Sequence, residues 1–424
     1  MSNQPQASDL RQSHWRQIPS GVVALGFVSL FMDVSSEMVH SLLPIFLVNV
    51  LGASAATFGV IEGVAETSTA ITKVFSGVLS DWWGKRKPLL LAGYGLAALV
   101  RPVFPLAGTA TVVFAARLID RIGKGIRGAP RDALVADLTP PDRRGAAYGL
   151  RQSLDSVGAF AGPMIALGLM LGFNNDVRRV FWIAAIPALI AVGILLFAIR
   201  EPATRRAERR DFPIQPGELR LLPAHYWLTI GIAALFTLAR FSEGFLLLRA
   251  QRSGLGEAWI PAVLGVMNVV YFLSAYPLGR LADQLDRRRL LAGGVAVLVI
   301  ADLILAYANT VPLVFLGALV WGLHMGATQG LLATLVGDAA PQRLRGTAFG
   351  LFNLASGVAL IGASVIAGEL WSRIGPTATF MAGAIFAAVS GVAILFYPRG
   401  ATGGRSGGEP PNLAHRIPAL DTEE

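Results

Sequence analysis

Ionisable side chains stand inside long apolar segments of this 424-residue sequence. Asp33, Glu37 and His40 follow one another at i, i+4 and i+7, which places all three on one face of a helix. Glu62 and Glu66 lie one helical turn apart in the next apolar segment. Carboxylates beside an imidazole can take up and release a proton within the physiological pH range. We therefore predict that these side chains are proton-binding groups.

Other charges inside the apolar segments are close enough in sequence to pair with one another. Arg151 and Asp155 are one turn apart, and the run RLIDRIGKGIRGAPRD places Asp120 beside Arg121 and Lys124. Such pairs have two interpretations. They are static ion pairs that hold helices together, or they take part in chemistry inside the membrane, where an ionisable residue is costly and is by default a functional candidate.

The composition is that of a membrane protein. The chain is 54% hydrophobic and 15% charged, against roughly 25% charged in a soluble domain, and its mean hydropathy is +0.56. The formal net charge is +9, but the basic residues form short clusters between apolar runs, so nucleic acid is not expected as a partner. The sequence has no cysteine, which excludes disulfides, thiolate metal sites and cysteine nucleophiles.

Twelve apolar windows approach the roughly 20 residues that a helix needs to cross a bilayer. They cover residues 21–49, 54–82, 88–107, 109–128, 145–172, 179–199, 224–248, 258–278, 289–308, 311–336, 346–370 and 374–397. We predict an all-α integral membrane protein with two six-helix bundles, 21–199 and 224–397. A charged, proline-containing linker, 200–223, joins the bundles, and polar tails, 1–20 and a disordered 398–424, flank them.

Lysine and arginine concentrate at one set of window ends, which orients the chain in the membrane. The basic residues on that side are Arg11, Arg16, Lys85 to Lys87, Arg143, Arg144, the linker arginines, Arg287 to Arg289, Arg343, Arg345 and Arg399. Few lie on the other side. We predict a multi-pass protein of the cell (inner, cytoplasmic) membrane with both termini cytoplasmic.

Two stretches of the first half recur in the second half at a nearly constant offset. GVLSDWWGKRKPLL from Gly77 matches GRLADQLDRRRLLA from Gly279, and LVADLTPPDRRGAAYGL from Leu134 matches LVGDAAPQRLRGTAFGL from Leu335. Repeats of this kind mark an internal duplication. The two halves therefore share one design.

Over nearly its whole length the chain resembles the major facilitator superfamily, whose best-known signature is similar to GVLSDWWGKRK. Gly77 allows two helices to approach closely, and Asp81 can meet the positive N-terminal end of a helix in the other half. The resemblance implies a latch that holds one conformation. Its residues are Gly77, Asp81, Gly84, Lys85, Arg86 and, in the second copy, Asp283, Arg287 and Arg288.

A second motif lies in the predicted fifth span. Gly149, Gly158 and the pair Gly162 and Pro163 are similar to the motif of the superfamily's antiporter branch, with Ala166 where a further glycine is usual. The small residues would pack tightly across the interface between the halves, and the proline would bend the helix. A packing face common to membrane helices is the alternative interpretation. The motif is the main reason to prefer export.

The resemblance also implies roles for the intramembrane charges. An arginine of the fourth span commonly takes part in proton transfer, and Arg121 is the nearest match, although the spacing to Gly123 and Gly125 differs. With Asp33, Glu37, His40, Glu62 and Glu66 it completes the candidate proton-coupling set. Arg240 and Glu243 are expected to pair. The candidates for a substrate cavity are Arg151, Asp155, Arg240, Glu243, His324 and Asn353.

Searches for enzyme signatures find none: GxxxxGK[ST], HEXXH and GxSxG are absent, as is any carboxylate-rich calcium loop. We expect no enzymatic activity, no cofactor and no metal. The expected partners are a small-molecule substrate, protons and the lipid bilayer, with the protein acting as a monomer.

Three functions are compared. The first is a secondary active transporter that exports a small molecule in exchange for protons by alternating access. The second is a proton-coupled importer or symporter of an organic anion or other metabolite. An exporter of cations should need unpaired acids in its cavity, and an anion carrier unpaired arginines. The third, a non-transporting sensor or assembly factor, lacks support because the linker is too short to hold a soluble domain.

Overall fold

The structure is a computed structural model that describes residues 18–201, 221–341 and 344–396. The predicted C-terminal tail and most of the predicted N-terminal tail and linker lie outside the described residues. Helices account for nearly all of the described chain.

The main helices are named α1 to α12 in chain order. The first are α1 (Ser20–His40), α2 (Ala55–Trp83), α3 (Lys87–Val100), α4 (Ala110–Leu138), α5 (Arg144–Gly172) and α6 (Val177–Phe197). The others are α7 (Ala224–Leu238), α8 (Pro261–Gln284), α9 (Arg287–Ala306), α10 (Val311–Ala339), α11 (Arg345–Arg373) and α12 (Pro376–Leu395). Shorter segments, left unnumbered, are Leu43–Ile45, the π-helical Phe46–Val50, Val103–Leu106, Pro141–Arg143, Gly244–Arg252 and Glu257–Trp259.

Nine helices within the described ranges are long and apolar enough to cross a membrane. The predicted windows that do not meet this criterion correspond to α2, α4 and α7. Polar and ionisable residues lower the apolarity of α2 and α4, and α7 has 15 residues before the chain leaves the helix at Ala239. The sequence-predicted spans are therefore confirmed at nine places, and the twelve-span layout stays a prediction.

Local sequence signals set several helix ends. The Ser54 hydroxyl accepts a hydrogen bond from the backbone N–H of Thr57 at the start of α2, and Thr109 caps α4 in the same way. At the other end of α2, Gly84 adopts a left-handed conformation with φ of 66°. A residue without Cβ is favoured there. The turn brings the start of α3 back toward the bundle.

Helices α1 to α6 pack mainly on one another, as do α7 to α12. In the first set α2 contacts α4, α1 contacts α5 and α6, and α3 contacts α4 and α6. In the second set α8 contacts α10, α9 contacts α10 and α12, and α7 contacts α11 and α12. Extensive contacts between the sets join α2 to α11 and α5 to α8. A site between the sets is therefore bordered by these two helix pairs.

The contact between α2 and α11 is closest at the end of the bundle where α2 begins and α11 ends, here called the distal end. A Cβ placed on Gly59 would lie 2.2 Å from the carbonyl oxygen of Ser364, so only glycine fits. The backbone N–H of Ala56 donates to Ser372 Oγ at 3.0 Å. Thr67 Oγ1 donates to the carbonyl of Gly357 at 2.6 Å, further along α2. The two helices are in direct backbone contact at the distal end.

Candidate functional site

A polar cavity of about 560 Å³ lies between the two sets of helices. Side chains of α1, α2 and α4 line one wall, and α7, α10, α11 and the residues after α7 line the other. The ionisable lining residues are Glu37, His40, Glu62, Glu66, Arg121, Lys124, Arg240 and Glu243. Aromatic residues Phe236, Phe241, Trp321 and Phe352 complete the apolar part of the wall.

The predicted residues divide between the cavity and the packed interior. Asn353 lines the cavity together with five of the six proton-coupling candidates and with Arg240 and Glu243. Asp33 lies one turn from Glu37 on α1, outside the lining. Arg151, Asp155 and His324 do not line this cavity, which corrects the grouping made from sequence. Their helical faces point into the bundles, and the sequence alone does not show which way each helix is rotated.

Arg117 on α4 holds a fully buried cluster at the edge of the cavity. Its Nε donates to Glu62 Oε1 at 2.7 Å and its Nη2 donates to Oε2 at 3.0 Å. The same Nη2 lies 2.9 Å from His40 Nδ1. The side chains of Arg117 and Glu62 are 0% and 1% exposed. Two parallel hydrogen bonds between ionised groups are the strongest form of ion pair, so this cluster rigidly joins α1, α2 and α4.

A second pair borders the cavity one turn further along the same helices. Arg121 Nε lies 3.0 Å from Glu66 Oε1. Glu66 differs from Glu62 in that its side chain is 31% exposed. Cavity water can therefore reach Glu66, whereas Glu62 depends entirely on its protein partners.

Asp120 pairs with a residue that the sequence analysis did not consider. Its carboxylate lies 3.0 Å from Arg101 Nη2 and 3.7 Å from Arg117 Nη1, so the predicted partners Arg121 and Lys124 are wrong. Arg101 is fully buried and also donates to Ser36 Oγ at 2.7 Å. A single arginine inside the predicted third span was the available signal, since such a charge needs a partner.

Five other intramembrane charges have no opposite charge within 4.0 Å among the described residues. They are Asp33, Glu37, Lys124, Arg240 and Glu243. The predicted pair between Arg240 and Glu243 is therefore not formed. The Arg240 guanidinium instead lies 5.8 Å from the centre of the Phe236 ring, a cation–π distance. Lys124 is exposed to the cavity.

The predicted pair between Arg151 and Asp155 is formed, with Nη1 and Oδ2 2.7 Å apart. It belongs to a network in which Arg131 Nη1 lies 3.8 Å from Asp155 Oδ1 and donates to Ser29 Oγ on α1 at 3.0 Å. Asp132 lies 3.8 Å from Arg151. This network joins α1, α4 and α5.

The glycines of the fifth helix pack against the acidic face of α1. A Cβ on Gly158 would lie 3.0 Å from the Cβ of Asp33, and one on Gly162 would lie 2.6 Å from the Cβ of Glu37. Close packing is therefore within the first set of helices, which corrects the predicted interface between halves. Pro163 is buried within α5, and Gly149 has open space around its Cβ position.

The first copy of the latch motif joins elements at the end of the bundle opposite the distal end. Arg86 Nη2 lies 2.7 Å from Asp81 Oδ1, and Arg86 Nε lies 3.5 Å from Asp137 Oδ2. Lys87 Nζ donates to the carbonyl of Ile199 at 2.7 Å, just after α6. Gly77 packs near Ala129, and Lys85 is exposed.

In the second copy, Arg288 Nη2 donates to the carbonyl of Leu395 at 2.7 Å, at the end of α12. Arg287 begins α9. The side chain of Asp283 lies outside the described residues. The predicted contact of Asp81 with a helix of the other half stays a prediction.

Asp302 on α9 is a buried carboxyl group that the mechanism does not yet use. It is 0% exposed, and neither oxygen has a hydrogen-bond partner among the described residues. Its nearest neighbours include the Cα of Gly383 and the ring of Phe241, both close to the same small volume. A buried polar group without a partner is destabilising.

We expect Asp302→Asn to leave the thermal stability unchanged or to raise it, by up to about 1 to 3 kcal/mol, since the substitution removes an unpaired charge. The matched control is Asp120→Asn, which strips a carboxylate from two arginines and should lower the melting temperature. Thermal unfolding of both variants in detergent is the measurement. A clear loss of stability in Asp302→Asn would show that this carboxyl makes a bond with a partner outside the described residues.

Membrane-crossing helices around a polar, charge-lined cavity define a multi-pass membrane transporter. The sequence model of the Major Facilitator Superfamily matches residues 25–359 and 250–420. The chain belongs to this superfamily, which consists of transporters and not of enzymes. The predicted family is thereby confirmed.

Relatives and solved structures agree with this assignment. The chain is 31% identical to the MFS-type transporter MJ1317 of Methanocaldococcus jannaschii over 389 residues, 90% of this chain and 96% of the relative. It is 26% identical to the multidrug resistance protein MdtH of Edwardsiella ictaluri, over 83% of this chain and 86% of that protein. The crystal structure of the nucleoside transporter NupG shares the fold, with a TM-score of 0.74 at 13% identity, covering 89% of this chain and 98% of NupG.

Proposed function

We propose that this protein is a secondary active transporter that exports a small molecule in exchange for protons. In this proposal the cargo binds in the cavity between α1–α6 and α7–α12. The two six-helix units, 21–199 and 224–397, rock against each other so that the cavity opens alternately to the two sides. The protein acts as a monomer in the cell membrane, with both termini cytoplasmic.

The observation that carries the proposal is the unpaired acidic face of α1. Asp33 and Glu37 have no opposite charge within 4.0 Å among the described residues, and Glu37 reaches the cavity. Glu62 and Glu66, by contrast, are occupied by Arg117 and Arg121. A carboxyl group free of an ion pair can change its protonation without breaking a structural contact. The two acids of α1 are therefore the proposed proton carriers.

The glycine motif of α5 supports the direction of transport. Gly158 and Gly162 lie directly against Asp33 and Glu37, so this motif sets how closely α5 covers the acids. A rotation of α1 against α5 would change the exposure of both carboxyl groups to water. The motif is similar to that of antiporters, and MdtH, a relative at 26% identity, is named as a multidrug resistance protein. Export in exchange for protons is the function that these features favour.

Conformational exchange is assigned to the contacts at the two ends of the bundle. The direct contact of α2 with α11 holds the distal end, and the latch residues around Asp81 and Arg86 are proposed to hold the other end. Each contact would break when its own end opens. A substitution of a latch residue such as Asp81→Asn would then affect conformational exchange more than binding.

A second candidate function is import of an organic anion together with protons. Lys124 and Arg240 favour it, because both line the cavity without an acidic partner within 4.0 Å among the described residues. Antiport and symport differ in the direction of proton flow relative to cargo flow. One flux experiment therefore separates the two candidates.

The test uses purified protein in liposomes with an imposed pH gradient and an internal pH dye. We expect a transported compound to move protons in the opposite direction, and we expect Glu37→Gln and Asp33→Asn to reduce this proton flux at least tenfold. Arg373→Gln, which removes an exposed charge outside the cavity, is the control. Proton flow in the same direction as the compound would support the anion symporter. Compound flux without any proton response would refute proton coupling through α1.

A further inference from the structure

Sorting the charges of the cavity by their partners leaves a residue of both signs. Glu62 and Glu66 are neutralised by Arg117 and Arg121. Glu37 and Glu243 remain as unpaired acids, and Lys124 and Arg240 remain as unpaired bases. For all four, the described residues offer no opposite charge within 4.0 Å.

A cargo molecule that fills the cavity displaces the water that solvates these four groups. A cation would satisfy the acids but would bury Lys124 and Arg240 without a partner. An anion would leave Glu37 and Glu243 in the same position. An uncompensated buried charge is strongly unfavourable, and the penalty acts against the cargo that creates it. Only a cargo with charges of both signs avoids the penalty on both sides.

The placement of the four charges matches such a cargo. Glu37 on α1 and Lys124 on α4 belong to the first set of helices, whereas Arg240 and Glu243 follow α7 in the second set. Each wall of the cavity therefore presents one acid and one base. A molecule with opposite charges at its two ends can bind both walls at once and draw them together.

The remaining lining determines the body of the cargo. Phe236, Phe241, Trp321 and Phe352 provide aromatic surface between the charges. The volume of about 560 Å³ lies within the range of small-molecule pockets, roughly 300 to 1,000 Å³. An apolar or aromatic body fits this wall.

We propose that the cargo of this transporter is a small zwitterion with an apolar or aromatic body. The amine is held by Glu37 or Glu243, and the acid by Lys124 or Arg240. This inference rests on the proposed function insofar as the cavity between the two sets of helices is the cargo site.

The test is a binding measurement with three compounds of one shape, made on the purified full-length protein in detergent without any gradient. The zwitterion is para-(aminomethyl)phenylacetate, the cation is para-ethylbenzylamine and the anion is para-ethylphenylacetate. Titration calorimetry or ligand-induced thermal stabilisation gives the three affinities. We expect the zwitterion to bind at least tenfold more tightly than either singly charged analogue.

Variants connect this preference to the four residues. Neutralising both bases, in Lys124→Gln with Arg240→Gln, should shift the preference to the cation. Neutralising both acids, in Glu37→Gln with Glu243→Gln, should shift it to the anion. Arg373→Gln should leave the order of the three affinities unchanged, since that residue is exposed and outside the cavity.

Each outcome decides the inference separately from transport. Equal or tighter binding of a singly charged analogue, or no binding of any of the three compounds at millimolar concentration, would overturn the zwitterion proposal. Liposome flux of a singly charged compound that the zwitterion does not inhibit would overturn it while sustaining the transporter. Tight binding of the zwitterion without flux of any compound would sustain the cargo class and refute the proposed transport.

Discussion

Arg117→Leu is expected to destabilise the protein by about 3 to 5 kcal/mol, because it leaves Glu62 as a buried charge without its partner. Glu62 is 1% exposed and both of its oxygens accept hydrogen bonds from the Arg117 side chain. Water cannot replace these bonds. The expected result is a large fall in the melting temperature in detergent, with little folded protein recovered from the membrane.

Two further variants test the reason for this effect. Arg121→Leu removes a similar ion pair on the same helix, but Glu66 is 31% exposed and can be solvated by the cavity, so its loss should be clearly smaller. The double variant Glu62→Gln with Arg117→Gln should be more stable than Arg117→Leu, because it leaves no buried unpaired charge. Equal losses for Arg117→Leu and Arg121→Leu would contradict the assigned importance of burial.

Gly59→Val is expected to abolish transport while the protein still folds. A Cβ at this position would lie 2.2 Å from the Ser364 carbonyl oxygen, which belongs to the backbone of α11 and cannot rotate away. Overpacking of this kind costs about 1 to 3 kcal/mol. The cost falls only on the conformation in which the distal end is packed, so the equilibrium should move toward a distally open state by about 5- to 150-fold.

The absence of cysteine makes this change directly measurable. Cysteines introduced at Ala56 and Ser372, which are hydrogen-bonded to each other, report on the packed distal end through the yield of a short thiol crosslink. We expect Gly59→Val to lower that yield several-fold. Gly168→Val introduces the same side chain into a helix where the Cβ position is open, and it should leave the yield unchanged. A high crosslink yield in Gly59→Val would show that α11 yields to the larger side chain.

Much of the architecture was predictable because the bilayer imposes a simple rule on sequence. Apolar windows of sufficient length, the duplication around Asp81 and Asp283 and the signature GVLSDWWGKRK together indicated a helical transporter of this superfamily. The nine confirmed spans are those whose composition meets the rule. The rule is weakest for α2 and α4, because their charged residues face protein and cavity rather than lipid.

Part of the site was also predictable. The i, i+4 and i+7 spacing on α1 correctly placed Glu37 and His40 on one helical face, and the pair Arg151 and Asp155 formed as expected from a one-turn spacing. Both results depend on local helix geometry alone. Spacing within one helix determines which side chains are neighbours, whatever the rest of the chain does.

Contacts between helices could not be obtained in this way. Asp120 pairs with Arg101 from α3 instead of its sequence neighbours, and Arg240 and Glu243 stay apart although they are close in sequence. The glycines of α5 pack on the acids of α1, within the first set of helices.

The sequence by itself determined the class of protein, the helices and the types of charge available inside the membrane. The tertiary structure decided which charges neutralise one another and which remain to meet a cargo. The physical reason is that an ion pair depends on the rotation and separation of two helices, which side chains distant in sequence set together. The unpaired set of Glu37, Lys124, Arg240 and Glu243 is visible only after every other partner has been assigned.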